Sequence, residues 1–173
     1  MDLKETIRSI PDWPIKGVIF RDLTTLMQNP KAFKESCDIL HERYKDMAID
    51  KIVGIDARGF VFGAVLAYKL GIGFIPVRKK GKLPFNTIQE TYSLEYGEDT
   101  LEIHEDALKK GEKVVIVDDL IATGGTVGAT VKLVTKLGAQ IIECAFIVEL
   151  PDLKGREQIQ GCNVFTITEF EGD

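Results

Sequence analysis

The sequence has few of the residues that build disulfide frameworks or metal centres. It contains three cysteines and two histidines among 173 residues. These five are widely spaced and include no CxxC pair: Cys37, Cys144, Cys162, His41 and His104. Such isolation argues against a zinc site. An odd cysteine count is typical of a reducing compartment, and we expect Cys37 and Cys144 to be small core residues.

Long apolar runs and an excess of basic residues are also missing. The longest uncharged run, Leu120 to Val131, has 12 residues, whereas about 20 apolar residues are needed to cross a bilayer. The first residues lack the apolar core of a signal peptide, so we expect a cytoplasmic protein with no membrane partner. Lys and Arg total 22 against 27 Asp and Glu, a net charge of -5, which argues against nucleic-acid binding.

The residues that are present suit one α/β domain spanning 1–173. Hydrophobic residues make up 45% of the chain, and helical and strand periods alternate from about residue 30 without a repeat or linker. Residues 78–97 have the character of a hairpin or mobile arm inserted in the core, a common form of lid. The patterns predict helices at 30–47, 60–66, 102–110 and 127–137, and strands at 52–56, 73–77, 114–117, 141–148 and 164–167.

The sharpest chemical signal follows the most apolar strand. Val114–Val117 runs into the acidic pair Asp118-Asp119, and a Thr/Gly loop, 123–126, then opens a helix. Hydroxyls and bare amides at a helix N-terminus form a cradle for a monophosphate. The carboxylates would be repelled by that phosphate, so they suit hydroxyl donors or a hydrated metal, as a sugar phosphate with magnesium would provide. Taken alone, the acidic pair would indicate only a solvated turn.

Other phosphate-binding patterns do not match. The chain has no GxxxxGK[ST] motif and no GxGxxG at its first helix, so neither a Walker-type NTPase nor a dinucleotide-binding fold is indicated. A response-regulator receiver carries an acidic pair on its first strand, whereas Asp118 lies two-thirds of the way along this chain. Asp56 follows an earlier strand, and ligands of parallel sheets bind beyond the carboxyl ends of the strands.

The 13 residues from Val114 to Thr126 resemble the phosphoribosyl-pyrophosphate signature of the type I phosphoribosyltransferases. The resemblance implies a central, mostly parallel sheet flanked by helices, with a flexible hood inserted. It also implies that Asp118 and Asp119 hold the ribose hydroxyls. The loop implied to hold the 5′-phosphate consists of Ala122, Thr123, Gly124, Gly125 and Thr126.

Two further segments resemble the pyrophosphate-binding parts of that family. Asp56-Ala57-Arg58-Gly59 resembles its pyrophosphate loop, and Arg78-Lys79-Lys80-Gly81-Lys82 resembles the basic start of its hood. Pyrophosphate would neutralise a cluster of cations that otherwise repel one another. For Lys79 or Lys80 individually, a solvated loop charge remains the alternative. The implied pyrophosphate contacts are Asp56, Ala57, Arg58, Gly59, Arg78, Lys79 and Lys82.

Residues 1–29 and the arm resemble the adenine-specific members of the family. The similarity covers 10–22, 81–84 and 92–97, although Trp13 stands where Phe is usual and Phe85-Asn86 is an unusual continuation of the arm. Hypoxanthine-guanine enzymes carry an Asp where this chain has Ala122. The resemblance assigns adenine to the backbone around Ile19 and Arg21, with Phe20 or Ile121 on the ring faces. Phe20 is equally compatible with a core position.

The implied reaction joins adenine to phosphoribosyl pyrophosphate and releases AMP and pyrophosphate, a step of purine salvage. The implied catalytic residues are Glu95, Arg58 and Asp119, with Glu95 meeting purine N7; an exposed hairpin Glu is the alternative for that residue. Mg²⁺ would be carried mainly by the substrate, with possible water-mediated contact to Asp118 and Asp119, and the resemblance also implies a homodimer. Two other functions remain open. One is the same reaction on another base such as xanthine, and the other is a non-catalytic regulator that senses phosphoribosyl pyrophosphate, which would be expected to carry a basic DNA-binding domain.

Overall fold

Two sheets organise the computed structural model, which describes residues 1–94 and 96–172. The strands are β1 (Arg8–Pro11), β2 (Ile19–Asp22), β3 (Lys51–Ile55), β4 (Gly73–Lys79), β5 (Thr87–Ser93), β6 (Glu98–His104), β7 (Lys113–Ile121), β8 (Gln140–Glu149) and β9 (Val164–Glu169). The α-helices are α1 (Thr24–Gln28), α2 (Pro30–Tyr44), α3 (Arg58–Leu70) and α4 (Gly125–Lys136). Short 3₁₀ helices lie at Leu3–Thr6, Pro151–Leu153 and Gly155–Ile159.

The larger sheet is mostly parallel, as predicted. Its seven strands lie in the order β5-β6-β4-β3-β7-β8-β9. The five from β4 to β9 in this order run parallel to one another, and β6 pairs antiparallel with both β4 and β5. β1 and β2 form a separate antiparallel pair. Parallel strands bring their carboxyl ends to one edge, which places the ends of β3, β4 and β7 side by side.

The side chains of β7 point alternately into two layers of the core, one on each face of the sheet. Val115 and Val117 face a cluster that contains residues of α2 and α3. Val114 and Ile116 face the opposite cluster, which contains residues of α4. Side chains of a strand alternate between the faces of a sheet, so a strand covered on both sides must be apolar throughout. Helices therefore flank both faces of the sheet, and β7 is central because four consecutive apolar residues require burial on both sides.

Local signals explain where several elements begin and end. Asn29 caps α2, its side chain accepting hydrogen bonds from the amides of Lys31 and Ala32 at 3.1 and 3.2 Å. The helix ends at Tyr44, so Met47, predicted as its last apolar residue, lies beyond it. Cys37 and Cys144 are buried, which confirms their prediction as core residues. No helix in the described part of the chain is long and apolar enough to cross a membrane.

One predicted helix was wrong, and one predicted strand is longer than expected. The helix predicted over 102–110 does not form, because Glu98–His104 is strand β6 and pairs residue by residue with β5. The strand predicted at 114–117 is longer, since β7 continues through Asp118 and Asp119 to Ile121. The inserted arm is accordingly a β5–β6 hairpin that extends past residue 97 to His104.

Candidate active site

A cavity of about 260 Å³ opens at the carboxyl ends of β3, β4 and β7. It brings together twelve of the residues singled out in the sequence, in three chain segments: Asp56, Ala57, Arg58, Lys79, Asp118, Asp119, Ile121, Ala122, Thr123, Gly124, Gly125 and Thr126. Leu120 and Val127 complete its lining. The edge of the sheet therefore unites the two loops that the sequence predicts to bind the two ends of one substrate.

An ion pair joins two of the predicted catalytic residues. Arg58 Nε donates a hydrogen bond to Asp119 Oδ2 at 2.5 Å. Asp119 is 4% exposed, whereas the Arg58 side chain is 48% exposed. Burial alone would lower the pKa of Arg58, but the charges of Asp119 and Asp118 outweigh it and raise that pKa above its ordinary value. Arg58 is therefore a permanent cation that faces the cavity from the first turn of α3.

Asp118 lies in an environment that disfavours its charge. Burial raises the pKa of its carboxyl well above the ordinary value, and the charge of Asp119 raises it further. The Asp119 amide donates to Asp118 Oδ1 at 2.8 Å. Beneath this carboxylate α3 approaches β7 so closely that a Cβ on Gly59 would lie 2.8 Å from Asp118 Oδ1. Gly59 thus lets the helix start pack under the acidic pair rather than lining the cavity itself.

The loop 122–126 has the form of an anion cradle. Gly124 adopts φ +85 at the start of α4 and supplies no side-chain cap. The amides of the first helical turn have no intrahelical acceptor and attract anions. A side chain on Gly124 would also overlap the carbonyl oxygen of Gly155. The predicted phosphate loop therefore presents the free amides at the N-terminus of α4, a helix of twelve residues.

The basic start of the arm lies beside the cavity, and two of its cations, Arg78 and Lys79, pair with acidic side chains. Arg78 Nε lies 3.3 Å from Asp56 Oδ2, and Arg78 Nη1 donates to the Lys82 carbonyl at 3.3 Å. Lys79 lines the cavity and forms a short ion pair with Asp99. This hydrogen bond raises the pKa of Lys79 and lowers that of Asp99. Lys82 and Arg78 are not among the residues that line the cavity.

The arm docks on the phosphate loop through a residue that sequence reasoning missed. Tyr92 Oη lies 3.2 Å from Thr126 Oγ1 and 3.4 Å from Asp99 Oδ2. Its ring packs over Gly125, where a Cβ would lie 3.0 Å from Tyr92 Cδ2. Tyr92 and Asp99 are directly opposite each other in the β5–β6 ladder. Tyr92 and Asp99 could be placed together only from this cross-strand register, which cannot be read from the sequence without knowing that β5 pairs with β6.

The predicted adenine-binding residues divide between two places. Ile121 is buried and lines the cavity. Ile19, Phe20 and Arg21 form β2 outside the lining of that cavity. Phe20 contacts Trp13 edge to face, with ring centroids 4.5 Å apart, and the Arg21 guanidinium lies 4.2 Å over the Phe170 ring. Glu95, the predicted acid-base residue, lies outside the described residues.

The donor set fits a magnesium ion carried by a substrate better than a resident ion. Carboxylate oxygens of Asp118 and Asp119 are the hard ligands that Mg²⁺ prefers. Asp119 already pairs with Arg58, however, and the described residues include no group of three or more His, Cys, Asp or Glu arranged to hold a metal. These two carboxylates can therefore meet the water shell of an ion that arrives with substrate.

Comparison with known proteins decides the family. The sequence model of the family described as the phosphoribosyl transferase domain matches residues 22–172 of this chain. The chain belongs to this family. It is 66% identical to an adenine phosphoribosyltransferase of Desulfosudis oleivorans over 100% of both chains. It is 55% identical to one of Cupriavidus necator, covering 98% of this chain and 90% of the relative.

Solved structures agree with the type I phosphoribosyltransferase fold. An adenine phosphoribosyltransferase from Thermoanaerobacter pseudethanolicus superposes with a TM-score of 0.94 at 48% identity, covering 98% of each chain. The enzyme of Saccharomyces cerevisiae, solved in complex with an imino-altritol bisphosphate and adenine, gives a TM-score of 0.90 at 43% identity over 96% of each chain. The predicted family and fold are confirmed.

Proposed function

We propose that this phosphoribosyltransferase transfers the phosphoribosyl group of phosphoribosyl pyrophosphate to adenine, giving AMP and pyrophosphate in purine salvage. The observation that carries the proposal is the single cavity lined by the acidic pair, Arg58 and the 122–126 loop. It offers an anion cradle at one end, carboxylates for hydroxyls in the middle and cations at the other end. Relatives that carry the name of this activity cover the full chain at up to 66% identity.

Different groups in the cavity bind different parts of the substrate. The amides of 122–126 hold the 5′-phosphate, and Asp118 and Asp119 accept hydrogen bonds from the ribose hydroxyls. Arg58 and Lys79 pair with the pyrophosphate through charge-assisted hydrogen bonds, assisted by Arg78 and Lys82 on the arm. Each cation must leave its carboxylate partner, Asp119 or Asp99, as the substrate phosphates arrive.

The reaction exchanges one bond at the sugar carbon C1′ for another. The bond from C1′ to the pyrophosphate oxygen breaks, the bond to adenine N9 forms, and the N9 proton is lost. Positive charge grows on the sugar as the leaving group departs, and the carboxylates of Asp118 and Asp119 stabilise it because they are already fixed beside the reacting carbon. Mg²⁺ bound to the pyrophosphate would neutralise the charge of the leaving group, with Asp118 and Asp119 facing its water shell.

Base recognition rests on the strand β2 and on the arm. The backbone of Ile19–Arg21 offers N–H and C=O groups to the edge of adenine, and Ile121 supplies an apolar surface for the ring. Glu95 forms a hydrogen bond with purine N7 and modulates proton loss at N9. General acid-base catalysis of this kind contributes about 100-fold to 10,000-fold.

The role of Glu95 is tested by Glu95→Gln, with Glu98→Gln, three residues further along the chain, as the control. Glu98 is exposed and makes no contact with the cavity. We expect Glu95→Gln to lower kcat at least 100-fold while the affinity for phosphoribosyl pyrophosphate changes little. Equal losses in kcat and in that affinity would contradict an acid-base role.

We also propose a cytoplasmic homodimer. One exposed stripe of α3 supports the dimer, since Val61, Ala64 and Tyr68 lie on its solvent side and Tyr68 is 86% exposed. Burying such a surface between two copies would remove a large aromatic side chain from water. Light scattering at micromolar concentration tests it: wild type should have twice the chain mass of 19.3 kDa, and Tyr68→Glu should reduce this to one chain.

The proposed activity is tested by product formation from phosphoribosyl pyrophosphate and magnesium with adenine, hypoxanthine, guanine, xanthine and orotate in parallel. AMP from adenine alone is the expected result. Turnover of another base would leave the sugar-phosphate site intact and refute the assignment of adenine. Binding of phosphoribosyl pyrophosphate without turnover of any base would favour a non-catalytic sensor instead.

A further inference from the structure

A segment far along the chain lies directly under the phosphate loop. The 3₁₀ helix Gly155–Ile159 contacts the loop where backbone meets backbone. A Cβ on Gly155 would overlap the Ala122 carbonyl oxygen and would lie 2.8 Å from Ile121 Cγ1 and 3.2 Å from the Gly124 nitrogen. Reciprocally, a side chain on Gly124 would overlap the Gly155 carbonyl oxygen. The two glycines interlock, so the position of one fixes the position of the other.

An ion pair clamps this segment to the sheet. Arg156 donates from Nε to Glu149 Oε1 at 2.7 Å and from Nη2 to Glu149 Oε2 at 2.6 Å. Glu149 is buried at the end of β8, where it is in register with Ile121 of β7, and Thr166 lies 3.4 Å from its Oε2. A planar, bidentate pair fixes orientation as well as distance. The clamp thus ties the segment to the strand end that leads into the phosphate loop.

We infer that Gly155 and the Glu149–Arg156 pair are positioning residues for the 5′-phosphate of the substrate, acting through the backbone of Ala122–Gly124. The inference rests on the proposed function of that loop. Amides bind a phosphate tightly only when several of them point at one centre. In an active site, a displacement of about 1 Å can lower the reaction rate about 100-fold. Gly155 controls that geometry because no room for a Cβ remains between it and the loop, so a side chain at this position must push the loop away.

The first test is Gly155→Ala, with Gly73→Ala as the matched control. The nearest atom to a Cβ on Gly73 is Lys51 Cγ at 3.8 Å, an ordinary contact. Calorimetric titration with ribose 5-phosphate and, separately, with inorganic pyrophosphate measures the two ends of the site. For Gly155→Ala we expect the affinity for ribose 5-phosphate to fall at least tenfold, with pyrophosphate affinity within twofold of wild type. In turnover, KM for phosphoribosyl pyrophosphate should rise at least tenfold while KM for adenine stays within twofold.

A second pair of variants decides the matter if Gly155→Ala does not fold. Arg156→Gln removes the clamp, and Arg43→Gln removes a bidentate pair of the same kind, Arg43–Glu143, at the other end of β8. We expect Arg156→Gln to weaken ribose 5-phosphate binding about threefold to tenfold and Arg43→Gln to leave it unchanged. Arg156→Lys should recover part of the loss, since a lysine keeps the charge but not the fork.

Distinct outcomes separate this inference from the proposed function. Equal weakening of ribose 5-phosphate and pyrophosphate by Arg156→Gln, or equal effects of Arg156→Gln and Arg43→Gln, would overturn the positioning role and indicate general destabilisation. Wild-type affinity in Gly155→Ala would overturn it as well. A wild-type protein that binds ribose 5-phosphate but turns over no base would refute the proposed reaction, and the binding comparison would still decide the positioning role.

Discussion

The Arg58–Asp119 ion pair gives a prediction that can be worked from geometry to assay. Removing one partner of a fully buried pair costs about 3–5 kcal/mol, because the remaining charge is left without compensation. Asp119 is 4% exposed, but the Arg58 side chain is 48% exposed, so water can enter the space that a shorter side chain leaves. We therefore expect Arg58→Gln to lower the free energy of unfolding by about 2 kcal/mol, below the fully buried value.

The companion variants make the prediction specific to the pair. Asp119→Asn leaves a cation that water already reaches, so its loss should be below about 1 kcal/mol. The double variant should be more stable than Arg58→Gln alone, because no buried charge then lacks a partner, and the coupling between the two sites should be at least about 1 kcal/mol. For a chain of this length, about 2 kcal/mol corresponds to a fall in Tm of about 4–8 °C.

The assay is thermal unfolding of the three variants and wild type at pH 7, followed by circular dichroism. Repeating it in high salt adds a control, since a pair that is half-buried should be screened less than an exposed one. Losses of the two single variants that add up to the loss of the double variant would refute the reasoning, because additivity means that the two side chains do not interact in the folded protein.

Three further predictions concern other features. Asp118→Asn should raise Tm at pH 7 but not at pH 3. Folding raises the pKa of the Asp118 carboxyl, so the folded protein loses stability as the pH rises from about 4 through the pKa of the folded state. An equal gain in Tm at both pH values would contradict this. Tyr92→Phe removes the hydroxyl that reaches Thr126, so amide hydrogen exchange in the β5–β6 hairpin should accelerate at least threefold; unchanged exchange would show that the hydroxyl does not anchor the arm. Gly54→Ala places a Cβ 2.5 Å from Phe74 Cζ and should cost about 1–3 kcal/mol by overpacking, measured by urea unfolding, where an unchanged midpoint would be the refuting result.

The parallel strands could be predicted from sequence because burial on both faces leaves a continuous apolar run. Val114–Val117 is such a run, and all four residues are fully buried. Helix α2 was predictable for a different reason, since Asn29-Pro30 carries both the cap and the fixed first turn. In each case the residues of the segment itself favour the secondary structure that it adopts in the fold.

The error at 102–110 has a physical cause outside the segment. Residues 105–110 include Glu, Ala, Leu and Lys, which favour a helix. Leu101 and Ile103 are fully buried, however. Residues 98–104 pair with strand β5, which begins at Thr87. Strand propensity depends on such neighbours far more than helix propensity does. The partner strand, supplied by the inserted arm, could not be read from residues 102–110 themselves.

The candidate site shows the same division between local and distant signals. Asp118, Asp119 and the 122–126 loop could be predicted because one continuous segment carries them. The partners of the cations could not, since Arg58 pairs with a residue 61 positions away and Lys79 pairs with Asp99 across the sheet. Choices of partner depend on register and on which side chains share a sheet edge, and neither is encoded within a short motif.

These partners also explain how one edge of the sheet can hold so many charges. Arg58, Arg78 and Lys79 each face a carboxylate, from Asp119, Asp56 and Asp99 respectively. These cations are only partly exposed, and a partly buried charge is costly without a counter-ion, so the protein's own acids compensate them. In the proposed reaction, substrate phosphates replace those acids as partners, and the released carboxylate of Asp119 becomes available to a ribose hydroxyl. The proposed binding is thus an exchange of ion pairs at roughly constant charge compensation, in which the residues that pair with one another within the protein also pair with a strongly anionic ligand.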